Sequence, residues 1–565
     1  MEGFENGMYQ GMMLDCLKGR SVSRPASSNQ AAGREAMMII LQIVDSFSQE
    51  AKETTLSALK AWLEEDEGFI DSLVGAENMA IKKKAKEILE DTSIQSNIAP
   101  VHKSYPLMDR VVHRTEDYLF ALSMYSERIQ NTEIMNDENR FGWHQNNGMT
   151  YIYDEDKQYT ENYWNTVNPL RLPGTTVVPV NIGTGKPDGS GFAQGGDFCS
   201  KESWVGGTSI GNYGVSGMSF SGETQGIAGD APVSYAPDLK GKKSWFMFDD
   251  EIVCLGAGIT NKNMELPVET TIENKKLRKD GSNQLLVNGE KTEIPVKEAN
   301  VKELVERTAD VSGTSFEQVN WAHLEGNQSV GTGYYFPEEN TEIQVRRGQT
   351  TGSWKDVGTF DGESTENYLE MWVDHGQNPE NASYSYVLLP EISAEETENY
   401  AQAPKVTILE NSSEVQAVRH ETLKITGINF WQEQGGSVDG ITSDKAASVM
   451  LQETEQGTVK VSVSDPTMKN KGNIQLPISE KYNGKEVVVL SCDNEKVKKL
   501  KGKVKNGFVS VEVESLNSFG TVLDKAVSSG VDKVKTGDET PFVMLSVMFI
   551  VGGTLFVVLK RKKKA

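Results

Sequence analysis

Cysteine is scarce in this chain: Cys16, Cys199, Cys254 and Cys492 are the only four in 565 residues, and no two form a C-x-x-C pair. Neither a zinc cluster nor a disulfide framework is encoded. Positive charge is also short, with 57 Lys and Arg against 81 Asp and Glu and a net charge of −24. That excludes nucleic acid as the partner, because releasing counterions from phosphates needs a basic surface. No D-x-D-x-D-G loop accompanies Asp249 and Asp250, so no metal and no cofactor is expected. No internal repeat is visible. The opening Met1-Glu2-Gly3-Phe4-Glu5 has neither the basic nor the apolar region of a secretory signal.

What the chain does have is length and 37% hydrophobic residues, enough for two to four domains. From Arg34 to about Asp91 the apolar residues follow a helical period. Met37, Met38, Leu41 and Val44 form one stripe, Leu56, Leu59, Trp62 and Leu63 a second, and Ile81 to Leu89 carries Lys and Glu on its outer side. These two or three helices are too few to enclose a core. After Pro100 the pattern changes to strand-like runs, among them Trp245–Phe248, Glu251–Leu255, Gln284–Val287, Thr332–Phe336 and Tyr384–Leu389, separated by turn residues. A large antiparallel sandwich is predicted, with Asn288-Gly289 as a type I′ hairpin turn.

Near the carboxyl end, Phe542 to Leu559 is an uncharged apolar run of eighteen residues followed by Lys560, Arg561, Lys562, Lys563 and Lys564. This predicts a single membrane-spanning helix with its basic tail inside and the bulk of the protein outside. Lys535-Thr536-Gly537-Asp538 resembles the core of a Gram-positive sortase signal, with Lys533 and Val534 where Leu and Pro are usual. Membrane or cell-wall attachment through the carboxyl terminus is therefore expected.

Two segments carry candidate chemistry. Lys18, Arg20 and Arg24 place three cations within seven residues; on a helix Arg20 and Arg24 would share a face and could grip a carboxylate together. Between Asn136 and Thr176, Trp143, His144, Tyr151, Tyr153, Tyr163 and Trp164 mix with amides and carboxylates, a density typical of a carbohydrate-facing surface. Trp143 and Trp164 themselves read as packing residues. Of the six histidines, His144 suits a structural or sugar-contacting role and His375 a loop held by local hydrogen bonds. His102, His113, His323 and His420 have no supporting context.

The wording of these segments, N-x-E-N-x-x-G-W from Asn136, G-M-T-Y-x-Y from Gly148, Y-W-x-T-V-N-P-x-x-L-P-G-T-T from Tyr163 and Y-x-G-M-M-x-x-x-x-x-G-R-x-V-S-R from Tyr9, resembles polysaccharide lyase family 8, the hyaluronate, chondroitin AC and xanthan lyases. KSWFMFDDEIVCLGAGI and ETTIENKK resemble the family's central sandwich, and PKVTILENSSEVQAVRH followed by INFW its smaller carboxyl-terminal one. The resemblance covers roughly residues 1–480. It implies an α+β multidomain fold: the end of an α/α toroid over 1–98, a large antiparallel, galactose-mutarotase-like β-sandwich over 99–400 and a smaller C-terminal β-sandwich over 403–520, followed by a linker over 521–540 and one transmembrane helix with its tail over 541–565.

The implied reaction is β-elimination on a uronate-containing glycan such as hyaluronan or chondroitin. The C5 proton, α to the carboxyl group, is removed and the oxygen on C4 is expelled, which requires neutralising the carboxylate, a base and an acid. Carried over by motif, Arg20, Arg24 and Glu133 are implied as catalytic and Asn136, Glu138 and Asn139 as substrate-binding. The family's Asn, His and Tyr for proton transfer lie upstream of the arginine pair, so the chain is expected to be the back portion of a longer lyase. The implied partner is an acidic polysaccharide; oligomeric state is left open. A catalytically silent surface carbohydrate-binding protein is the alternative. A glycoside hydrolase using Glu133 and Glu138, five apart, comes third, since it needs two opposed carboxylates. Expressed alone, residues 1–95 are expected to aggregate, because so few helices leave apolar faces uncovered; light scattering checks this, and a monodisperse, cooperatively folded segment would contradict it.

Overall fold

The computed structural model describes residues 2–182, 198–225 and 236–477, and beyond them the backbone of strands Glu486–Leu490, Leu500–Lys503, Phe508–Glu514 and Leu523–Asp524. The expected membrane segment at 541–565 lies outside the described residues. Among the described residues no helix is long and apolar enough to cross a membrane.

The amino-terminal part is a small hairpin, Met8–Tyr9 with Met12–Met13, backed by three helices: α1 (Asn29–Ile43), α2 (Gln49–Glu65) and α3 (Met79–Glu90). Ser28 and Ser48 cap α1 and α2, each accepting a hydrogen bond from the backbone N–H three residues on. The predicted stripes meet in one core of Met37, Ile40, Leu41, Val44, Leu59, Trp62, Leu63, Ile81, Ala85 and Ile88. Met38 and Leu56, expected in it, are only half-buried at its margin. Gly33 lets α1 press on the hairpin: a Cβ there would lie 1.9 Å from the Gly11 carbonyl oxygen. Arg34 ties α1 to the end of α2 through Asp66, Nε to Oδ2 at 2.6 Å.

A four-stranded antiparallel meander follows, Val101–Tyr105, Arg110–Arg114, Leu119–Ser123 and Met149–Tyr153. It leads into two larger sheets of nine and six strands. Alternation sorts the side chains of the nine-stranded sheet. On strand Lys240–Met247, Trp245 and Met247 enter the core shared with Ile272, Leu369 and Met371, which lie on the six-stranded sheet. Phe246 turns the other way and joins Val215, Val253 and Val387 against Val418, Ile425 and Met450 of the carboxyl-terminal sandwich. The nine-stranded sheet thus carries a core on each face.

Among the described residues, pairing is antiparallel as predicted except at two places, Val296–Asn300 with Ile343–Ser353 and Val459–Ser464 with Glu486–Leu490. Asn288 and Gly289, both at positive φ (49° and 84°), form the predicted two-residue turn between Leu285–Val287 and Glu290–Lys291.

The six-stranded sheet holds a buried charge network. The Arg171 guanidinium stacks 3.5 Å from the Trp372 ring, pairs with Glu269 at 2.7 Å and reaches Glu370 at 2.9 Å, while Arg346 pairs with the second oxygen of Glu370 at 2.7 Å. Removing one member strands a buried charge. Arg171→Met is expected to lower stability by about 3–5 kcal/mol, against under ~1 kcal/mol for breaking the exposed Lys355–Asp361 pair. Urea unfolding of the two variants side by side checks this.

Candidate carboxylate-binding site

Between the hairpin and α1 the chain runs through three 3-10 turns, Asp15–Leu17, Gly19–Ser23 and Pro25–Ser27. Arg20 and Arg24 therefore do not share the face of an α-helix, as their spacing suggested. Gly19 sits at φ +53°, and Pro25 forces Arg24 into the extended region at φ −112°, ψ 114°. The arginines converge all the same, because one carboxylate collects both. Glu138 accepts from Arg20 Nε at 3.0 Å, Arg24 Nε at 2.6 Å and Arg24 Nη2 at 2.6 Å. Glu133 accepts the Arg20 backbone N–H at 3.0 Å and pairs with its guanidinium through Nη1. Gly19 is required here, since a Cβ would lie 2.1 Å from Glu133 Oε2.

Glu133 and Glu138 flank a tight turn closed by a Met135–Glu138 bridge, with Asn136 and Asp137 at φ 57° and 60°. Asn136 is exposed at the tip beside the arginines. Asn139, also read as a substrate contact, is buried and its amide is committed: it donates to Gln145 at 2.7 Å and to Thr132 at 3.2 Å, and accepts from Gln145 at 3.0 Å. Asn139 also donates to the Glu133 carbonyl at 3.1 Å, bracing the turn, and lines a small pocket with Ser23, Gln145 and Trp164. Arg20 and Arg24 remain 26% and 33% exposed, Glu133 42% and Glu138 10%. The cluster is open on the Arg24 and Glu133 side and closed beneath Glu138.

The aromatic surface expected over residues 136–176 is a core instead. Tyr151, Tyr153, Tyr159 and Tyr163 are buried and pack on one another with centroids 4.9–6.3 Å apart. They are covered by Tyr9, Leu14, Cys16 and Leu17. The cover comes from well over a hundred residues away, which no local pattern announces. Trp143 is fully buried, as expected, and half-buried Trp164 sends its indole N–H to Asp15 Oδ1 at 2.9 Å.

The histidines are engaged elsewhere. His144 is fully buried, bonds Asn147 at 3.1 Å and is held neutral by burial, which lowers its pKa to about 3; this excludes a sugar contact. His375 bonds the Thr270 hydroxyl at 2.8 Å, and burial lowers it to about 4. His102 and His113 lie across a strand pair with rings 5.7 Å apart, His323 bonds the Ile392 carbonyl at 2.9 Å, and His420 meets Glu251 at 2.8 Å. No group of three or more His, Cys, Asp or Glu suited to a metal occurs among the described residues.

With this geometry in view, comparison with known proteins is direct. The family model for the super-sandwich domain of polysaccharide lyase family 8 matches residues 100–401, and that for the family's C-terminal β-sandwich domain matches 407–473. The chain belongs to polysaccharide lyase family 8. It is 36% identical over 495 residues to a xanthan lyase of Bacillus sp. (strain GL1), covering 86% of this chain and 48% of that protein. It is 34% identical over 485 residues to hyaluronate lyase HylB of Enterococcus faecalis (strain ATCC 700802 / V583), covering 84% and 45%. The solved Paenibacillus xanthan lyase superposes with a TM-score of 0.73 at 32% identity, over 92% of this chain and 47% of the other. The chain spans about half the length of the curated relatives it matches.

Burial works to raise the Glu138 carboxyl, but hydrogen bonds and charge from Arg24 and Arg20 outweigh it and hold it below the ordinary carboxylate range. A carboxyl depressed in the folded state contributes stability that is fully present above its unfolded value, about 4.3, and is lost as pH falls through the folded one. Unfolding temperature should therefore carry a Glu138 component that is flat above about pH 5 and declines below it. In Glu138→Gln that component should vanish; a variant with the unaltered acid limb would contradict the assignment.

Proposed function

We propose that this protein serves the β-elimination of a uronate-containing polysaccharide of the hyaluronan or chondroitin type, with Arg20 and Arg24 binding the uronate carboxylate. The observation that carries the reading is the convergence of two guanidiniums and one backbone N–H on carboxylate oxygens at a partly open surface. An enolate-like intermediate at C5 develops charge on the carboxyl group, and fixed cations stabilise it. Arg20, oriented by its pair with Glu133, stabilises that charge together with Arg24, and exposed Asn136 contacts sugar hydroxyls.

Glu138 is held ionised between two guanidiniums, so it is unsuited to the protonated general acid that a glycoside hydrolase needs. Binding without cleavage is the second reading, which the resemblance to xanthan and hyaluronate lyases does not favour. A cell-surface location is part of this proposal; the apolar run Phe542–Leu559 followed by a basic tail supports it.

The test is to incubate a full-length version, carrying the upstream Asn, His and Tyr that the family resemblance implies, with hyaluronan, chondroitin or xanthan and follow the ultraviolet absorbance of the unsaturated uronate, with affinity measured in parallel. The lyase reading expects this product, and Arg20→Ala or Arg24→Ala should lower kcat/KM on the order of 10²-fold. Saturated products would overturn it in favour of hydrolysis, and binding with no product would favour the second reading.

A further inference from the structure

Asp15 lies where the arginine-bearing turns, α1 and the central sandwich meet. It is 3% exposed, and its carboxylate faces four donors on separate elements. Oδ1 accepts from Trp164 Nε1 at 2.9 Å and from Lys18 Nζ at 3.4 Å, and Oδ2 from the Tyr153 hydroxyl at 3.3 Å and Asn29 Nδ2 at 3.4 Å. Its own backbone N–H donates to the Tyr153 hydroxyl at 2.6 Å. Tyr153 ends a strand of the meander, Trp164 belongs to the short helix Tyr163–Thr166, and Asn29 opens α1.

We propose that Asp15 is a positioning residue for Arg20 and Arg24, setting where their guanidiniums stand relative to Glu133, Glu138 and a bound uronate. This rests on the reading that the cluster binds the substrate carboxylate. The physical reason lies in the segment between them. Residues 15–27 form successive 3-10 turns of three to five residues, each closed by local bonds such as Lys18 N–H to the Asp15 carbonyl at 3.0 Å and Ser21 N–H to the Lys18 carbonyl at 3.2 Å, so the direction of one short turn relative to the next is set by anchors at the ends. Glu133 and Glu138 hold one end. Asp15 holds the other, helped by Arg110 Nε on the Cys16 carbonyl at 3.1 Å.

Lys18 is the link from Asp15 to the cluster. It is buried, Asp15 is its carboxylate partner, and it immediately precedes Gly19, whose positive φ aims the Arg20 N–H at Glu133. Without the Asp15 charge, Lys18 must move out to water. The Lys18–Gly19 pivot then turns and the Arg20 contacts loosen.

Arginine-selective ¹⁵N labelling of the full chain reads this directly, through solvent exchange of the Arg20 and Arg24 Nε–H groups, together with affinity for a glucuronate-containing oligosaccharide. Asp15→Asn keeps the shape and removes the charge; Trp164→Phe removes the indole N–H donor and leaves a smaller aromatic ring. Both are expected to speed exchange at Arg20 and Arg24 and to weaken binding, roughly tenfold for Asp15→Asn and less for Trp164→Phe. Glu251→Gln, which breaks the buried pair with His420 at the distant sandwich junction, is expected to lower stability without either effect.

Exchange and affinity unchanged in both Asp15→Asn and Trp164→Phe would overturn the proposal, as would equal acceleration in Glu251→Gln. A wild-type chain that binds no uronate would count against the polysaccharide reading alone, and the exchange comparison would still decide the role of Asp15.

Discussion

Covering the tyrosines of the last meander strand and the segment that follows it is the constraint on which the site depends. Tyr151, Tyr153, Tyr159 and Tyr163 form a wide apolar face with hydroxyl groups in it, and such a face cannot be left in water without a large free-energy cost. The turns before α1 close it with Leu14, Cys16 and Leu17, and in doing so carry Arg20 and Arg24 to the Met135–Glu138 turn. Hydrophobic burial brings the two segments together but has no direction. Direction comes from the polar contacts laid across the same junction, Asp15 with Trp164 and Tyr153 below and the arginines with Glu133 and Glu138 above.

A net charge of −24 sits awkwardly with an acidic ligand until the distribution of cations is considered. Many cations are spent inside. Arg171 and Arg346 neutralise Glu269 and Glu370, and Lys275 lies between Asp154 and Asp156 at 3.3 and 2.7 Å. The remaining excess negative charge repels a polyanion at long range, although screening confines that effect to about 8 Å at physiological salt. Under the proposed function, recognition is a short-range matter in which two partly buried guanidiniums outweigh the distant surface.

Much of the architecture was legible because helices and strands have different periods. The stripes around Leu41 and Trp62, the strand-like run Trp245–Phe248 and the Asn288-Gly289 turn are local properties that packing preserved. The helical reading of Arg20 and Arg24 failed although the contrary signal was present: Gly19 and Pro25 bracket the pair, and both interrupt helices. The tyrosines were misplaced for a different reason. A half-apolar face bound by another segment has the same composition as one that binds a sugar, and only the tertiary contact with Leu14 and Cys16 distinguishes them. Asn139 looked like its neighbour Asn136, and the difference lies in Gln145, whose amide completes a reciprocal pair with it. The co-location of Arg20, Arg24, Glu133 and Glu138 was readable only through the family wording, since more than a hundred residues separate the two halves of the cluster.

The nine-stranded sheet has a consequence for how this fold can drift over evolutionary time. In a sheet with one wet face, alternate positions along a strand are free to vary, and homologues accumulate substitutions with a period of two. Here Trp245 and Phe246, or Val253 and Cys254, are neighbours in the chain yet belong to different interiors. Successive positions are therefore under similar restraint, and the rhythm of variation should be erased on the central strands while surviving at the sheet's outer edge, where Glu290 and Lys291 face solvent. The two sandwiches are in that sense coupled, because a substitution on a central strand is felt by a core on one side or the other.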